Sequence, residues 1–342
     1  MHDLRDGPAG RATGRATPAW LAGSTAPARV ARRHLLRGAV FGAGPQLNRA
    51  TPPPAEGDGG GVARVVTGVV LDVSPQVLVI GTGKSEERFA LTADANAWRG
   101  EKTTPTALRI GDQAVVRRHS SGREVADRIW ANIGRIAGTI YRRHKETLVV
   151  DCGGAGLRTI VVQQQAAGKI QVRFPRLEPG YLIDIIGVRR DGYLEGLIPA
   201  TSQPPYRADH VPAPPLVNGH LPTVIKGSAT WHEPGAEPAG LAGLNWPAVD
   251  VPDGGPTAGS GCVSLPYLSA GSRVRITNDC AKASRTLPVT GAAPLARLFC
   301  DRSVVCGPSP RGRIADLTVT SFVELGGELD EGSFNATIEI EA

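Results

Sequence analysis

The sequence predicts an all-β protein assembled from several small β-barrels, and three observations carry this prediction. The chain has 43 Gly and 28 Pro among its 342 residues and few aromatic residues, a mixture that favours short strands joined by turns over long helices. Apolar and polar residues alternate in short runs such as 274–277 and 336–340, as expected for half-buried strands. An internal repeat with an offset of 69 to 70 residues runs through the middle of the chain.

Shifts in composition divide the chain into five parts. We predict a disordered basic segment at 1–61, a first barrel at 62–136, a second at 137–200, a Pro-rich linker at 201–222 and a third barrel at 223–342. Residues 1–61 are rich in Ala, Arg, Gly and Pro and lack a periodic apolar pattern, which is typical of disorder. The prolines of the linker predict a semi-stiff spacer that holds the last barrel away from the other two.

The two middle parts repeat each other. The matching positions are Gly68, Leu78, Leu108 and Gly111 in the first part and Gly138, Leu148, Leu177 and Gly180 in the second. A period of this length, with about five short strands per unit, fits a duplicated small barrel rather than a solenoid. Each half resembles an OB-type barrel of the kind found in tandem in bacterial envelope proteins. Such barrels bind oligonucleotides or sugars, but we favour a structural role, with Trp98 and Trp130 serving either as core residues or as binding platforms.

The N-terminal segment contains Arg32 and Arg33 followed by the apolar run 35–44, which resembles a twin-arginine bacterial export signal. The apolar run is short and ends at Pro45, so a solvated basic tail is the alternative. No stretch approaches the roughly 20 apolar residues that a membrane-spanning helix needs, and we therefore expect no membrane span. A secreted or envelope-associated bacterial protein is predicted.

The net charge of +6 is unevenly distributed, because basic residues prevail before residue 227 and acidic residues after it. Nucleic-acid binding needs a concentrated basic face with aromatic stacking residues, and the sequence reveals neither. We therefore expect no nucleic-acid partner, and a monomer.

Four of the five cysteines lie in the last part of the chain: Cys262, Cys280, Cys300 and Cys306. An even set in one compact region predicts two disulfides and an oxidising compartment, although three pairings are possible. The spacing lacks a Cys-x2-Cys pair, so we predict neither zinc nor any other cofactor. Cys152, in the second barrel, is interpreted as an incidental thiol.

Two carboxylates, Asp301 and Asp316, each stand beside an apolar run in the last barrel. A carboxylate at the end of a buried strand is a candidate for proton transfer because its pKa is readily moved. For Asp316 the alternative is a helix cap, since the residues from Leu317 to Phe322 are compatible with a short helix.

Five motifs in the last barrel follow one another in a recognisable order: Gly227–His232, Leu265-Pro266, Val274–Asn278, Cys300–Ser303 and Gly312–Thr318. This series resembles the double-psi β-barrel shared by rare lipoprotein A, expansins and barwin. The resemblance covers the last third of the chain and implies a six-stranded double-psi β-barrel.

The resemblance also implies binding of cell-wall glycan and, in some members, its cleavage by lytic transglycosylation with a single carboxylic acid. Asp301 matches the position assigned to catalysis in the cleaving members, and Asp316 matches the residue tied to wall loosening in expansins. The cleaving members carry a His shortly before the Leu-Pro pair, whereas this chain has none after His232.

We therefore predict a protein that binds wall polysaccharide or peptidoglycan without cutting it. The glycan is expected in an open groove with Asp301 and Asp316, contacted by Trp231, His232, Tyr267 and Arg302. Two alternatives stay open: a lytic transglycosylase that uses Asp301 as its general acid, and a structural envelope protein whose last barrel is inert.

Overall fold

The computed structural model describes residues 64–340 apart from 121, 206, 211–222, 234–240, 249, 252–254, 257–261, 294, 301, 304 and 308–309. The predicted disordered segment, with its twin-arginine-like motif, and the larger part of the predicted linker lie outside these residues. The described chain is all-β and forms three closed barrels of five, five and six strands. This confirms the predicted fold class.

Barrel one closes in the order β2-β1-β5-β6-β3, with the short β4 added beside β3. Its strands are β1 (Val65–Val73), β2 (Val77–Gly81), β3 (Glu86–Trp98), β4 (Lys102–Thr103), β5 (Gln113–Arg118) and β6 (Val125–Ala131). Trp98 and Trp130 are buried, so both are core residues rather than binding platforms.

Barrel two closes in the order β10-β11-β9-β8-β7. Its elements are β7 (Ile133–His144), β8 (Thr147–Asp151), β9 (Leu157–Val162), α1 (Gln164–Arg173), β10 (Leu182–Arg190) and β11 (Tyr193–Pro199). Helix α1 contributes Ala166 and Ile170 to the core of this barrel. Barrel one has only the 3-10 turn Pro105–Ala107 at the corresponding place in the chain.

The glycine repeat has a steric cause in both barrels. A Cβ at Gly68 would collide with the carbonyl oxygen of Gly81, and a Cβ at Gly138 with that of Asp151, on the neighbouring strand in each case. Only glycine permits this close approach of two backbones. The internal repeat read from the sequence is therefore a structural repeat of the barrel.

Two further features recur at matching positions. Gly111 and Gly180 both have a positive φ, +91° and +89°, in the turn that precedes the fourth long strand of each barrel. A bulge interrupts the first strand of each barrel, at Leu71 in barrel one and at Tyr141 in barrel two. The turns and bulges thus reproduce the repeat along with the strands.

Barrel three closes in the order β12-β18-β13-β17-β16-β19, with parallel pairs β12–β18 and β13–β17. Its strands are β12 (Val224–Trp231), β13 (Leu244–Trp246), β16 (Arg273–Asn278), β17 (Ala283–Ala292), β18 (Arg313–Leu317) and β19 (Ser333–Ile340). The short pair β14 (Asp250–Val251) and β15 (Gly255–Pro256) lies outside the barrel, and helix α2 (Val319–Glu324) follows β18.

The three barrels pack directly on one another. One apolar cluster contains Trp130 from barrel one, Ile186 from barrel two and Phe334 from barrel three. At the start of the predicted linker Thr201 and Gln203 are buried. The prediction that the last barrel is held away from the other two is therefore wrong, because residues of all three barrels share one buried apolar cluster. None of the described helices is long and apolar enough to span a membrane.

Candidate functional site

A cleft of about 470 Å³ lies between barrels two and three and is lined by Asp316. Its polar lining includes Arg158 from barrel two and His232, Asn245 and Asp316 from barrel three. Its apolar lining includes Ile136, Ala292, Leu295 and Ala296. A mostly apolar concave wall with a few convergent polar groups is typical of a small-ligand site.

Asp316 lies at the centre of this arrangement because of its position in β18. It is next to Thr230 of the parallel strand β12 and opposite Asn245 of the antiparallel strand β13. The hydroxyl of Thr230 donates to Asp316 Oδ1 over 2.8 Å, while 21% of the carboxylate side chain stays exposed. Strand register therefore sets a carboxylate and an amide side by side in the cleft.

His232 follows directly after β12 and approaches the same carboxylate. Its Nδ1 lies 3.8 Å from Asp316 Oδ2, and its backbone N–H donates to Leu317 O over 3.0 Å. The two groups form an ion pair when the imidazole is protonated. The structure thus brings together two of the predicted site residues, His232 and Asp316.

The short helix predicted after Leu317 is present as α2, but Asp316 does not cap it. Thr318 is the N-cap, and its side-chain oxygen accepts from the backbone N–H of Ser321 over 3.3 Å. The capping alternative for Asp316 is wrong because a threonine stands directly before the first helical residue and satisfies the exposed N–H group. The carboxylate of Asp316 is consequently left to the cleft.

Trp231 is a core residue of barrel three. Its side chain is only 1% exposed, and its indole N–H donates to Leu329 O over 3.0 Å. Trp231 is also among the residues that line the cleft, so its contact with glycan stays a prediction. Strand β12 is paired on both sides, with β18 and β19, and most of its residues are buried.

Two further predicted site residues, Tyr267 and Arg302, do not line the cleft. Tyr267 is exposed, but it is not among the residues that line the cleft. The backbone of Arg302 pairs with that of Ser202, which ties the loop before β18 to the segment that follows barrel two. Asp301 lies outside the described residues.

Two disulfides staple barrel three, as predicted, and the structure selects one of the three pairings. Cys262 is bonded to Cys300 and Cys280 to Cys306, with Cα–Cα separations of 5.3 and 5.6 Å. The segment between Cys300 and Cys306 is therefore held at both ends to earlier parts of the barrel. Among the described residues, no group of three or more His, Cys, Asp or Glu is arranged to hold a metal ion.

Glu233 fastens the edge of the cleft to barrel two. Its Oε1 accepts from the backbone N–H of Arg135 over 2.7 Å and from Arg189 Nε over 3.2 Å, and its Oε2 accepts from Arg158 over 2.8 Å. This second carboxylate in the cleft lining is thus fully engaged. Sequence reasoning missed Glu233, because nothing in its local pattern distinguishes it from other surface acids.

A buried ionic triad lies behind the cleft. Asp184 of β10 is 0% exposed; its Oδ1 accepts from Arg135 Nε over 2.7 Å and its Oδ2 from Arg313 over 2.6 Å. The guanidinium of Arg313 also lies 3.9 Å from the centre of the Phe299 ring. Since Arg313 belongs to barrel three, the triad joins the two walls of the cleft.

Electrostatics keep the triad charged. Burial alone would raise the pKa of Asp184, but the attraction of Arg135 and Arg313 and their hydrogen bonds outweigh it and hold that pKa below its usual range. The sequence carries a signal for this triad, since Asp184 is a lone acid within the apolar run 182–188. A charge in a buried strand requires a partner of opposite charge.

Cys152 lies in the cleft wall that barrel two provides. Burial raises the pKa of its thiol to about 11, against the opposing effect of Arg158. The thiol is therefore protonated at neutral pH and is a poor nucleophile.

Comparisons with known proteins identify no relative, so the function is inferred from the geometry of the cleft. No family model matches the chain. No curated protein matches it significantly.

Proposed function

We propose that the chain is a bacterial cell-envelope protein that binds wall glycan in the cleft between barrels two and three, without cutting it. The observation that carries this proposal is the adjacent pair Asp316 and Asn245, which face one cleft from neighbouring strands. We further propose that barrel three is a double-psi β-barrel related to rare lipoprotein A and expansins. Support comes from the five ordered motifs, the six-stranded closure and the two parallel strand pairs.

The chemistry of the pair suits a ligand rich in hydroxyl groups. A carboxylate accepts hydrogen bonds through two oxygens, and an amide both donates and accepts, so together they match neighbouring sugar hydroxyls. Ala292, Leu295 and Ala296 provide an apolar wall for the C–H face of a sugar ring. The cleft offers no such match to a purely apolar ligand, because Asp316 would lose its hydration without a partner.

Binding without cleavage is favoured by the way the carboxylates are used. Ordinary glycosidases place two available carboxyl groups around the scissile bond. In the described lining, Glu233 already accepts from three N–H groups, so Asp316 is the only carboxylate there that is not held by arginine. The transglycosylase alternative needs only one acid, so the lack of a second available carboxylate does not exclude it. The experiment below must therefore distinguish binding from cleavage.

The compartment is part of the proposal. Two disulfides are typical of an oxidising environment, and the arginine pair in the N-terminal segment resembles an export signal. Export to the envelope would bring the cleft to the wall polymers that it is proposed to bind.

The test is binding of the full chain to purified insoluble peptidoglycan and to other wall polysaccharides, measured by sedimentation. Asp316→Asn and Asn245→Ala should each weaken binding about tenfold, the effect of one lost hydrogen bond to a charged or polar group. Glu339→Gln, which alters an exposed acid of β19, is the matched control and should bind like the wild type.

Two results would count against the proposal. Unchanged binding by both cleft variants, with melting temperatures equal to that of the wild type, would remove the cleft as the glycan site. Release of anhydro-sugar fragments by the wild type would establish the transglycosylase alternative instead.

A further inference from the structure

A basic hairpin belongs to barrel two, and none of its residues is among those that line the cleft. We define it as residues Tyr141–Lys145, the end of β7 and the turn into β8. All five side chains are exposed, and Lys145 has a positive φ of 52° in the turn. The segment contains Arg142, Arg143, His144 and Lys145 in succession.

The bulge in β7 determines how the basic hairpin is presented. Ile140 pairs with Val150 and Arg142 pairs with Val149, so Tyr141 has no opposite residue on β8. Its ring is 63% exposed. Bulges commonly re-aim side chains in this way, and the result is an aromatic ring beside a run of basic side chains.

The exposed acid Glu146 directly follows the basic hairpin, but among the described residues it forms no ion pair with the arginines or the lysine of the hairpin. Arg143 donates to backbone carbonyls, to Lys145 O over 3.3 Å and to Leu177 O over 3.1 Å. No ion pair within the described residues involves Arg142, Arg143 or Lys145. The carbonyl contacts hold Arg143 in place while leaving its charge available to a ligand.

Barrel one shows that the fold does not require these charges. The bulge of β1 falls at the matching position, Leu71, and the residues that follow it are Asp72, Val73, Ser74 and Pro75. An acid and small or apolar residues therefore complete the same turn. The basic run is a property of barrel two alone, which points to a ligand rather than to folding.

A groove of about 320 Å³ adjoins the basic hairpin and extends its surface. Its charged lining consists of Arg143, Lys145 and the acid Glu146, and the rest is Gln164 and Ala167 of α1 with the apolar side chains of Leu148, Val162 and Leu177. The successive cationic side chains of the basic hairpin suit a ligand with repeated negative charges.

We infer that the basic hairpin binds the phosphates of a polymer with a sugar-phosphate or polyol-phosphate backbone. Nucleic acid fits less well, because binding of single strands uses several aromatic rings for successive bases and Tyr141 is the one aromatic side chain in the hairpin. The two disulfides also suit a compartment where envelope polymers, not nucleic acids, are the abundant polyanions. This site is separate from the cleft and does not depend on glycan binding there.

The experiment titrates the full chain with fluorescently labelled poly(glycerol phosphate) at several salt concentrations. The triple variant Arg142→Ala, Arg143→Ala, Lys145→Ala should bind about tenfold more weakly at low salt, and the slope of log affinity against log salt should fall by about 2 to 3. The matched control is Lys84→Ala, Arg88→Ala, Arg109→Ala, which removes the same charge from exposed positions of barrel one. This control should bind nearly as tightly as the wild type.

Three results would overturn the inference. Equal weakening by the two triple variants would reduce the effect to net charge. Absence of binding by the wild type at low salt would remove the site altogether. Tighter binding of single-stranded DNA than of poly(glycerol phosphate) at equal phosphate concentration would identify the partner as nucleic acid.

Discussion

Barrels one and two repeat the same strand plan, yet they meet barrel three through different chemistry. Barrel two contributes both an arginine and an acid, Arg135 and Asp184, and receives Arg313 from barrel three in a fully buried triad. Barrel one contributes Arg128, whose acid partners Glu328 and Asp330 both belong to barrel three. Barrel three therefore supplies an acid to both interfaces, with Glu233 at barrel two, but only the barrel-two interface has a further acid, Asp184, that belongs to the smaller barrel itself and is fully buried.

The barrel-one interface is partly open to solvent. Arg128 donates to Glu328 over 2.9 Å and to Asp330 over 2.7 Å, and the indole N–H of Trp130 donates to the same oxygen of Asp330 over 2.7 Å. Glu328 keeps 29% of its side chain exposed and also accepts from Arg117. Each of the two acids has more than one hydrogen-bond donor here, so the loss of one donor leaves the others bonded.

The comparison indicates a division of labour after duplication. Barrel two provides one wall of the cleft, and its buried triad fixes that wall against barrel three. Barrel one contacts barrel three through a shared, partly solvated network, and none of its described residues lines the cleft. The two copies of one barrel plan thus contribute differently to the cleft.

The largest expected effect comes from Asp184→Asn. The variant leaves two buried guanidinium groups without a counter-charge, and breaking a buried pair in this way costs about 3–5 kcal/mol. Urea unfolding of the full chain measures the change in the free energy of unfolding. Asp209→Asn, which removes the exposed acid partner of Arg207, is the control and should change it by less than about 1 kcal/mol.

The same variant has a pH signature. Because the pKa of folded Asp184 is below the usual value of 3.8, its stabilisation is present above about pH 4 and is lost as pH falls through the folded pKa. The difference in stability between wild type and Asp184→Asn should therefore shrink below about pH 4. A difference that stays constant down to pH 2 would contradict the charged triad.

Arg128→Ala should have the next largest effect. It removes two hydrogen-bonded ion pairs, but Asp330 keeps the indole N–H of Trp130 and Glu328 keeps Arg117. We expect a loss of about 1–3 kcal/mol in the free energy of unfolding, the usual range when one partner of a buried polar group is deleted. A loss as large as that of Asp184→Asn would erase the proposed difference between the interfaces; Arg88→Ala, at an exposed site, is the control.

The sequence revealed the repeat and the barrel order but not the docking. Gly68 and Gly138 could be predicted as a repeat because the close approach of two strands within each barrel requires glycine at the same position. Asp316 was singled out because it lies beside an apolar run inside a recognisable motif. Glu233, Arg313 and Asp184 were missed as partners, since each is paired across barrels and no local pattern specifies a contact between distant segments.

A smaller effect of opposite sign is expected at Glu331 in barrel three, which neighbours the acids of the barrel-one interface. Burial, followed by repulsion from Glu328 and Asp330, raises the pKa of this carboxyl. Its charged form therefore opposes folding at neutral pH, and the penalty disappears as pH falls through the raised pKa. Glu331→Gln should stabilise the chain by less than about 1 kcal/mol at pH 7, because partly exposed charges are screened, and the gain should vanish near pH 4.

The smallest effect is expected at the bulge residues, where the barrels differ most in surface chemistry. Tyr141 is 63% exposed, so Tyr141→Ala should change the free energy of unfolding by less than about 0.5 kcal/mol. Leu71 packs over Gly81 of the adjacent strand, so Leu71→Ala should cost somewhat more, about 1 kcal/mol. Equal urea midpoints for wild type and Tyr141→Ala would show that the ring is not retained for stability. A large loss in the free energy of unfolding would instead show that Tyr141 stabilises barrel two, and its exposure would then be no evidence for a ligand.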